Sequence, residues 1–333
     1  MARKSWASLW AKSVTRSVTA IARSGIKRAI RDSARASPTV IRPAGATPGD
    51  WLAGVAIGPS GARRYRLYRP PGLRHGETVP LLVMLHGCRQ DAKGFAASTR
   101  MNRIANREHF LVLYPEQDRI SHAQGCWNWY DTKSGRAYGE ASLIMTAVDQ
   151  VCLLYPVDRA RIAVAGLSAG ASMAGLLASR YADRFKAVVM HSGVPPGTAH
   201  STLTAIGAMR GRCASTPLAA AQLGGTQALP PLLVIQGGSD ALVSAANGRA
   251  AAALWGDARG AHESKSRIVK RGKRYATTVS DFKCSGRTVA TLVAIEQLGH
   301  AWSGGAHGIA FSDAAGPDAS RMVWTFAAKQ FGS

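Results

Sequence analysis

The sequence predicts an α/β fold with a mainly parallel central sheet flanked by helices. Three observations support this prediction. Short, nearly continuous apolar runs recur along the chain, helical patterns separate them, and the 35 glycines and 15 prolines are spread out rather than repeated. With 333 residues, 46% of them hydrophobic, the chain has enough apolar material for a large core. No stretch reaches the roughly 18 consecutive apolar residues that a membrane span needs.

Short apolar runs predict the strands of this sheet. Runs of this kind that contain β-branched side chains are typical of strands buried on both faces. They occupy residues 81–85, 110–113, 162–165, 187–190, 232–235 and 292–295. Residues 53–69, upstream of these runs, are predicted to form antiparallel edge strands. Helical patterns fall near residues 92–107, 139–154, 169–182, 243–255 and 317–331.

The chain is predicted to begin with two segments that precede the folded domain. In residues 1–36, apolar side chains recur at helical spacing opposite basic ones, which indicates a basic amphipathic helical extension. Basic residues interrupt every apolar run there, so we expect no cleavable secretory signal. Tryptophan on the apolar face favours contact with a polymer granule or another anionic surface, and the alternative is packing on its own domain. Residues 37–50 are predicted as a linker and residues 51–333 as the α/β domain.

Charge limits the classes of partner. The chain has 42 Lys and Arg residues against 19 Asp and Glu residues, and its net charge of +23 attracts polyanions in general. More than half of this excess lies in residues 1–36 and 265–274. No motif that reads nucleic acid accompanies these clusters, so we expect no specific nucleic-acid partner. The five cysteines lack the spacing of metal ligands, and nothing in the pattern predicts an oligomeric state.

A serine follows one buried run in a setting typical of nucleophiles. Residues 166–170 read Gly-Leu-Ser-Ala-Gly and lie between the apolar run 162–165 and a predicted helix. In this strand–turn–helix context, a G-x-S-x-G motif holds a serine on a sharp turn with its hydroxyl exposed. Ser168 is therefore the candidate nucleophile, and the alternative of a helix-capping serine is weaker.

A nucleophilic serine needs a base that is itself oriented by a carboxylate, and in this fold class the order is Ser, Asp or Glu, His. Asp240 and His300 each follow an apolar run, as expected for residues at the carboxyl ends of strands. We therefore predict Asp240 as the acid and His300 as the base. His191 also ends an apolar run, but it lies before the candidate acids and is the second candidate for the base. Asp257 follows a predicted helix rather than a strand, so Asp240 is preferred.

Two backbone N–H groups are candidates for binding a developing oxyanion. One is the N–H of Ala169, directly after the serine. The other should come from the loop after an earlier strand, and residues 86–88 follow the apolar run 81–85. We therefore predict the N–H of Cys88 as the second donor, with His86 shaping the loop.

Several motifs together resemble one family of esterases. They are LHGCRQ at residues 85–90, LYPEQ at 113–117, GCWNW at 125–129, GLSAG at 166–170 and LGHAWSGG at 298–305. In this order they resemble the poly(3-hydroxybutyrate) depolymerase family, within the carbohydrate esterase 1-like group that also contains feruloyl and acetylxylan esterases. The resemblance covers about residues 51–331. It implies an α/β-hydrolase fold, a catalytic triad of Ser168, Asp240 and His300, and hydrolysis of short-chain hydroxyalkanoate or related esters.

The resemblance has further implications for the site. It places Cys88 close to Cys126, where the two can form a disulfide that braces the oxyanion loop. It makes Trp127, Trp129 and Trp302 candidate walls of a cleft that binds the ester or oligoester substrate. A triad of this kind requires no metal and no cofactor.

Three functions stay open at this point. The first is a serine esterase acting on hydroxyalkanoate esters, and the second is a feruloyl or acetylxylan esterase, because one triad serves all these esters. The third is a basic protein that binds a granule or polyanion and carries a vestigial hydrolase site. The compartment is open as well. The basic extension favours a cytoplasmic or granule-associated protein, whereas the family resemblance implies an extracellular one.

Overall fold

The computed structural model describes residues 49–213 and 229–332. The extension predicted at residues 1–36 and nearly all of the predicted linker lie outside these described residues. Asp50, assigned to the linker from sequence, instead begins the first described strand. None of the described helices is long and apolar enough to cross a membrane.

Strands and helices alternate along the described chain. The strands are β1 (Asp50–Gly58), β2 (Gly61–Arg69), β3 (Val79–Leu85), β4 (Leu111–Pro115), β5 (Val157–Leu167), β6 (Ala187–His191), β7 (Leu232–Gly237), β8 (His262–Glu263), β9 (Arg267–Val269), β10 (Thr277–Cys284), β11 (Arg287–Ile295), β12 (Trp302–Ser303) and β13 (Ser312–Asp313). The α-helices are α1 (Ala92–Thr99), α2 (Met101–Glu108), α3 (Arg136–Leu154), α4 (Ala169–Arg180), α5 (Thr202–Met209), α6 (Ala245–Asp257) and α7 (Ala319–Phe331).

Most of the strands form one mixed sheet of eleven strands. Their order is β1-β2-β4-β3-β5-β6-β7-β11-β10-β8, with β9 beside β10. The strands from β4 to β11 in this order run parallel to one another. β1 and β2 pair antiparallel at one edge and β10 pairs antiparallel with β11 near the other. The predicted α/β architecture with a mainly parallel sheet is confirmed, as are the edge strands predicted within residues 53–69.

Helices cover both faces of this sheet. On one face α1, α2 and α7 bury side chains such as Phe95 and Val323 in one hydrophobic cluster. On the other face α3 and α4 bury side chains such as Ile144 and Leu177 in a second cluster, to which α6 also contributes. The sheet is therefore sealed from water on both sides, which explains why its central strands are apolar along their whole length.

β3 illustrates how one strand serves both clusters. Leu81, Val83 and Leu85 belong to the cluster under α3 and α4, whereas Leu82 and Met84 belong to the cluster under α1, α2 and α7. All five side chains are fully buried. Because successive side chains of a strand point to opposite faces, each contributes to a different layer, and burial of each is worth about 1.5–3 kcal/mol.

The strand order reverses at β3. The connection after β3 leads to β4 on one side, whereas β5 pairs with β3 on the other side. In open α/β sheets such a reversal leaves a crevice at the carboxyl ends of the strands. Leu85 pairs with Gly166, so the loop after β3 begins beside the turn that follows β5.

The observed helices and strands differ from the prediction in several places. The helix predicted over residues 92–107 is two helices, because Arg100 adopts a φ of 55° that ends α1. The short helix α5 was not predicted. Neither were β8 to β10. β10 mixes buried residues such as Val279 and Phe282 with half-exposed or exposed ones such as Asp281 and Lys283, so it offers no continuous apolar run.

Candidate active site

Ser168 lies on a strained turn between β5 and α4. Its backbone has φ 57° and ψ −121°, which a non-glycine residue rarely adopts and which costs about 1–3 kcal/mol. Two backbone hydrogen bonds hold the turn: the N–H of Ser168 donates to the carbonyl of His191 at 2.9 Å, and its carbonyl accepts from Ser172 at 3.0 Å. These hydrogen bonds therefore stabilise a backbone conformation that Ser168 would rarely adopt in an unfolded chain.

The two glycines of the motif are required by close backbone contacts. A Cβ at Gly166 would lie 2.3 Å from backbone atoms of Gly170. A Cβ at Gly170 would lie 2.1 Å from the carbonyl oxygen of Leu85, at the end of β3. Real Cβ atoms do not approach other atoms so closely, so only glycine lets α4 begin against the neighbouring strand.

The loops after β7 and β11 are joined just beyond the sheet. Ile295 and Gly237 are partners in the parallel ladder. Beyond them, the N–H of Gly238 donates to the carbonyl of Ile295 at 2.7 Å, and the N–H of Ser239 donates to the carbonyl of Leu298 at 3.0 Å. A Cβ at Gly237 would lie 2.4 Å from that carbonyl oxygen of Leu298. The two loops that carry Asp240 and His300 are thus held against each other by backbone contacts.

Asp240 and His300 form a hydrogen-bonded pair. Oδ2 of Asp240 lies 2.8 Å from Nδ1 of His300, and Oδ1 accepts the N–H groups of Leu242 at 2.9 Å and Val243 at 2.8 Å. The Asp240 side chain is fully buried, and the His300 side chain is 11% exposed. Burial alone would raise the pKa of Asp240, but the hydrogen bond and charge of His300 and the two N–H donors outweigh it, so the pKa is lowered. The carboxylate therefore stays ionised and fixes the orientation of the imidazole.

No hydrogen bond joins Ser168 to His300 among the described residues. Among the described residues, neither the Ser168 hydroxyl nor Nε2 of His300 has a hydrogen-bond partner, whereas Nδ1 of His300 is occupied by Asp240. Catalytic hydrogen bonds of this kind are often long before substrate binds. The arrangement leaves Nε2 free to accept a proton.

His191, the second candidate for the base, is engaged elsewhere. Its ring is fully buried, and Nε2 accepts the backbone N–H of Ser303 at 3.1 Å. Burial, followed by the charge of His300, lowers the pKa of His191 to about 3. A nitrogen that is already bonded to a backbone N–H is not free to take the proton of Ser168, so His300 is favoured.

The loop after β3 lies against the serine. A Cβ at Gly87 would be 3.5 Å from Cβ of Ser168 and 3.4 Å from the carbonyl oxygen of Leu167. Within the part of the chain that the structure describes, the N–H groups of Cys88 and Ala169 donate to no acceptor. Two free N–H groups beside the nucleophile are what an oxyanion hole requires.

Covalent and hydrogen bonds hold this loop in place. Cys88 and Cys126 form a disulfide. The N–H of Arg89 donates to the carbonyl of Gln124 at 2.7 Å, and the N–H of Gly87 donates to Oε1 of Gln90 at 3.0 Å. The loop is therefore held to the segment of residues 124–126, and its first residues are also hydrogen-bonded to the side chain of Gln90.

A buried polar network lies beneath the same loop. Nε2 of His86 accepts the N–H of Gln117 at 3.1 Å, and burial lowers the pKa of His86 to about 4, so its ring is neutral. Nε2 of Gln117 donates to Glu140 at 2.6 Å, and Glu140 also accepts the backbone and side-chain N–H groups of Asn128. Sequence reasoning singled out neither Gln117 nor Glu140 individually. Gln117 lies in one of the quoted motifs, whereas Glu140 has no local signal within its helix.

Two of the three predicted tryptophans are placed differently from the prediction. Trp127 is fully buried and its Nε1 donates to the carbonyl of His86 at 3.0 Å. Trp302 is also fully buried and its Nε1 donates to Oγ of Ser320 at 3.0 Å. Contrary to the prediction, neither ring lines an open cleft, because both pack in the core. Trp129, which is 8% exposed, stays a candidate.

Within residues 49–213 and 229–332, no group of three or more His, Cys, Asp or Glu side chains could hold a metal ion.

Comparisons with known proteins agree with the motifs. A family model described as esterase PHB depolymerase matches residues 63–265. Poly(3-hydroxyalkanoate) depolymerase C of Paucimonas lemoignei is 34% identical over 176 residues, which are 51% of this chain and 42% of that protein. A probable acetylxylan esterase A of Aspergillus fumigatus is 28% identical over 160 residues, 47% of this chain and 41% of that protein. The matches thus span about two fifths of the length of these two relatives.

Solved structures share the fold. Acetyl xylan esterase from Aspergillus awamori superposes with a TM-score of 0.62 at 19% identity, covering 76% of this chain and 94% of that one. An S-formylglutathione hydrolase from Agrobacterium tumefaciens superposes with a TM-score of 0.53 at 16% identity, covering 88% and 96%. These similarities show the α/β-hydrolase fold.

The contact between Gly170 and Leu85 predicts a large cost for one added methyl group. Gly170→Ala should lower the free energy of unfolding by about 2–3 kcal/mol, because the new Cβ overlaps a backbone carbonyl that cannot move freely. Gly139→Ala in α3, where a Cβ meets Ser60 at an ordinary 3.7 Å, is the matched control and should be neutral or stabilising. Urea unfolding of the three proteins measures this. Equal stability of the Gly170 and Gly139 variants would contradict the steric argument.

Loss of the disulfide should destabilise the folded protein. The bond joins residues separated by 38 positions, a closure worth about 4 kcal/mol in the chain-entropy model. Cys126→Ser, or treatment of the wild type with reductant, should therefore lower the free energy of unfolding, measured by urea unfolding, by a similar amount. Cys284→Ser removes a half-buried free thiol and serves as the control. A reductant effect of equal size in the Cys126→Ser protein would show that this bond is not responsible.

Acid should destabilise the wild type more than Asp240→Asn. The pKa of Asp240 is lowered in the folded state, so its ionised form stabilises that state above the usual value of 3.8, and this contribution is lost as pH falls from there through the folded pKa. Urea unfolding of both proteins at about pH 5, 4 and 3 measures the effect, since the other carboxylates are common to both. The difference in stability should shrink as pH falls. A constant difference would argue against a lowered pKa.

Proposed function

Because the chain belongs to the esterase PHB depolymerase family, we propose that it is a serine esterase that cleaves carboxylic ester bonds through an acyl-enzyme. The observation that carries the proposal is the 2.8 Å hydrogen bond between Asp240 and His300, on loops beyond β7 and β11. Ser168 follows β5 at the same edge of the sheet, on a strained turn that exposes a nucleophile.

In the first half of the reaction, Ser168 attacks the ester carbonyl. Nε2 of His300 takes the hydroxyl proton as Oγ bonds to the carbonyl carbon, and the carbonyl oxygen becomes an oxyanion. Asp240 holds the tautomer with the proton on Nδ1 and stabilises the imidazolium. The free N–H groups of Ala169 and Cys88 bind the oxyanion, and each donor is worth about 3 kcal/mol in the transition state.

In the second half, the acyl group is transferred to water. The tetrahedral intermediate expels the alcohol, which takes the proton from His300, and the acyl-enzyme remains on Ser168. His300 then removes a proton from water as the water oxygen attacks the acyl carbon. The second tetrahedral intermediate collapses, the acid is released, and Oγ of Ser168 takes the proton back from His300. Asp240 stays ionised throughout, in line with its lowered pKa.

The proposed substrates are short-chain hydroxyalkanoate esters and their oligomers. The depolymerase from Paucimonas lemoignei, which is 34% identical over about half of this chain, supports this choice. The second candidate is an acetylxylan esterase, favoured by the relative in Aspergillus fumigatus and by the structural neighbour of which 94% is covered. Both groups of substrate need the same triad, so the acyl group and the alcohol are discriminated by the walls of the cleft.

We also propose that the enzyme works in an oxidising compartment, rather than in the cytoplasm that the basic extension favoured. The disulfide that fixes the oxyanion loop supports this, because such bonds persist mainly in secreted and periplasmic proteins. Binding of a granule or another anionic surface through residues 1–36 stays a proposal.

A panel of esters tests the proposed function. We expect purified protein to hydrolyse soluble 3-hydroxybutyrate oligomers faster than a feruloyl ester or acetylated xylan oligomers. Ser168→Ala should lower the initial rate by at least about a thousandfold, because triad members act as a unit. Ser179→Ala, at the far end of the same helix, is the matched control and should keep the wild-type rate.

Each other outcome of the panel changes the proposal. Preference for acetylated xylan would favour the second candidate. Turnover that survives in Ser168→Ala would remove this serine from the mechanism. No turnover of any ester, together with salt-dependent retention on a polyanion, would favour the binding-protein alternative.

A further inference from the structure

His191 touches both segments that carry the candidate nucleophile and the candidate base. At the end of β6, its carbonyl accepts the N–H of Ser168 at 2.9 Å. Its side-chain Nε2 accepts the N–H of Ser303 at 3.1 Å, in the strand that directly follows the His300 loop. One residue therefore links the turn of Ser168 to the loop of His300.

The His191 ring is tightly confined. It is fully buried and stacks on Trp302, with ring centroids 5.0 Å apart and an interplanar angle of 26°. Nδ1 lies 3.2 Å from Oγ of Ser192. Trp302 is itself held by Ser320 and packs edge-on against Phe95. Because the ring cannot shift in this close-packed environment, it holds β12 at a fixed distance from β6.

The ring is also neutral. Ser303 donates to Nε2, so that nitrogen carries no proton and the remaining proton is on Nδ1, directed to Ser192. Burial, followed by the charge of His300, lowers the pKa of His191 to about 3, although the charge of Asp240 acts in the opposite direction. The acceptor therefore persists at neutral pH even when the neighbouring His300 becomes charged.

We propose that His191 is a positioning residue that sets the separation between the Ser168 hydroxyl and the His300 imidazole. The inference rests on the proposed serine-esterase function. Ser168 is fixed through the main chain of His191, and the His300 loop is fixed through its side chain. Loss of the side-chain acceptor would let the His300 loop move relative to the turn of Ser168, while the ester cleft stays in place. The expected effect is on kcat rather than on KM.

Two substitutions by amide side chains test whether the position of the hydrogen-bond acceptor matters, because both variants keep an acceptor but place it at different distances from Ser303. His191→Gln places an amide oxygen near the position of Nε2, whereas His191→Asn places it near Nδ1, one methylene short of Ser303. Both lose the stacked ring equally. His191→Gln should keep kcat within about threefold, and His191→Asn should lose about 10- to 100-fold in kcat with KM within about twofold, as expected for misplacement of a reacting group by about 1 Å.

A third variant and a second readout guard against effects of folding. His191→Phe keeps a ring against Trp302 but has no acceptor, so it should be as slow as His191→Asn. Rates are measured well below the lowest unfolding midpoint and normalised to folded protein. The rate at which a fluorophosphonate labels Ser168 should fall in parallel with kcat, because labelling needs the same alignment of serine and base but not the ester pocket.

The outcomes distinguish this inference from the proposed function. Wild-type kcat in both His191→Asn and His191→Phe, or equal losses in His191→Gln and His191→Asn, would overturn the positioning role. A fall in kcat that only follows the folded fraction would also overturn it. Ser168→Ala is measured beside them with the same ester, and its activity alone decides whether Ser168 is the nucleophile. His191→Asn can therefore retain activity while Ser168→Ala loses it, in which case only the positioning inference fails.

Discussion

The contact of Gly170 with the carbonyl oxygen of Leu85 is the constraint on which the rest of the site depends. It lets the first turn of α4 begin directly against the end of β3, where a Cβ would lie 2.1 Å from that oxygen. The turn of Ser168 is thereby pressed beside the loop of residues 86–88, and its unfavourable φ of 57° is enforced by contacts on both sides. Backbone packing therefore brings the candidate nucleophile close to the loop that carries a candidate oxyanion donor.

The loop that carries the second candidate oxyanion donor is supported by polar groups that would be costly to bury alone. Glu140 accepts three hydrogen bonds, and the amide of Gln117 joins it to Arg63, whose guanidinium donates to Oε1 of Gln117. Burial lowers the pKa of Arg63, and the charge of Glu140 opposes that shift. The opposite charges are thus connected through a neutral amide, without direct contact. Because His86 accepts from the backbone of Gln117, this network also fixes the start of the oxyanion loop.

Sequence reasoning was most informative about buried strands and the residues that directly follow them. The central strands were predictable because burial on both faces leaves an apolar run, and Ser168, Asp240 and His300 were singled out because they follow such runs. Side chains whose roles depend on distant partners were not predictable. Glu140 looks like any polar residue in a helix, and the burial of Trp127 and Trp302 depends on how loops fold over the sheet. The antiparallel strand β10 was missed because it carries polar residues on its half-exposed face.

Three histidines at strand ends explain why position alone does not identify a base. His86 follows β3, His191 ends β6 and His300 lies beyond β11, so each meets the same sequence criterion. The rings of His86 and His191 are buried, and Nε2 of each already accepts a backbone N–H. Burial lowers the pKa of His86 to about 4 and is the main reason that the pKa of His191 is lowered to about 3. His300 alone of the three has a carboxylate on Nδ1 and an Nε2 without a partner among the described residues. Two of the imidazoles are thus neutral hydrogen-bond acceptors, and only the third is paired with a carboxylate. The hydrogen-bond partner, rather than the residue type, therefore decides which ring can carry a proton.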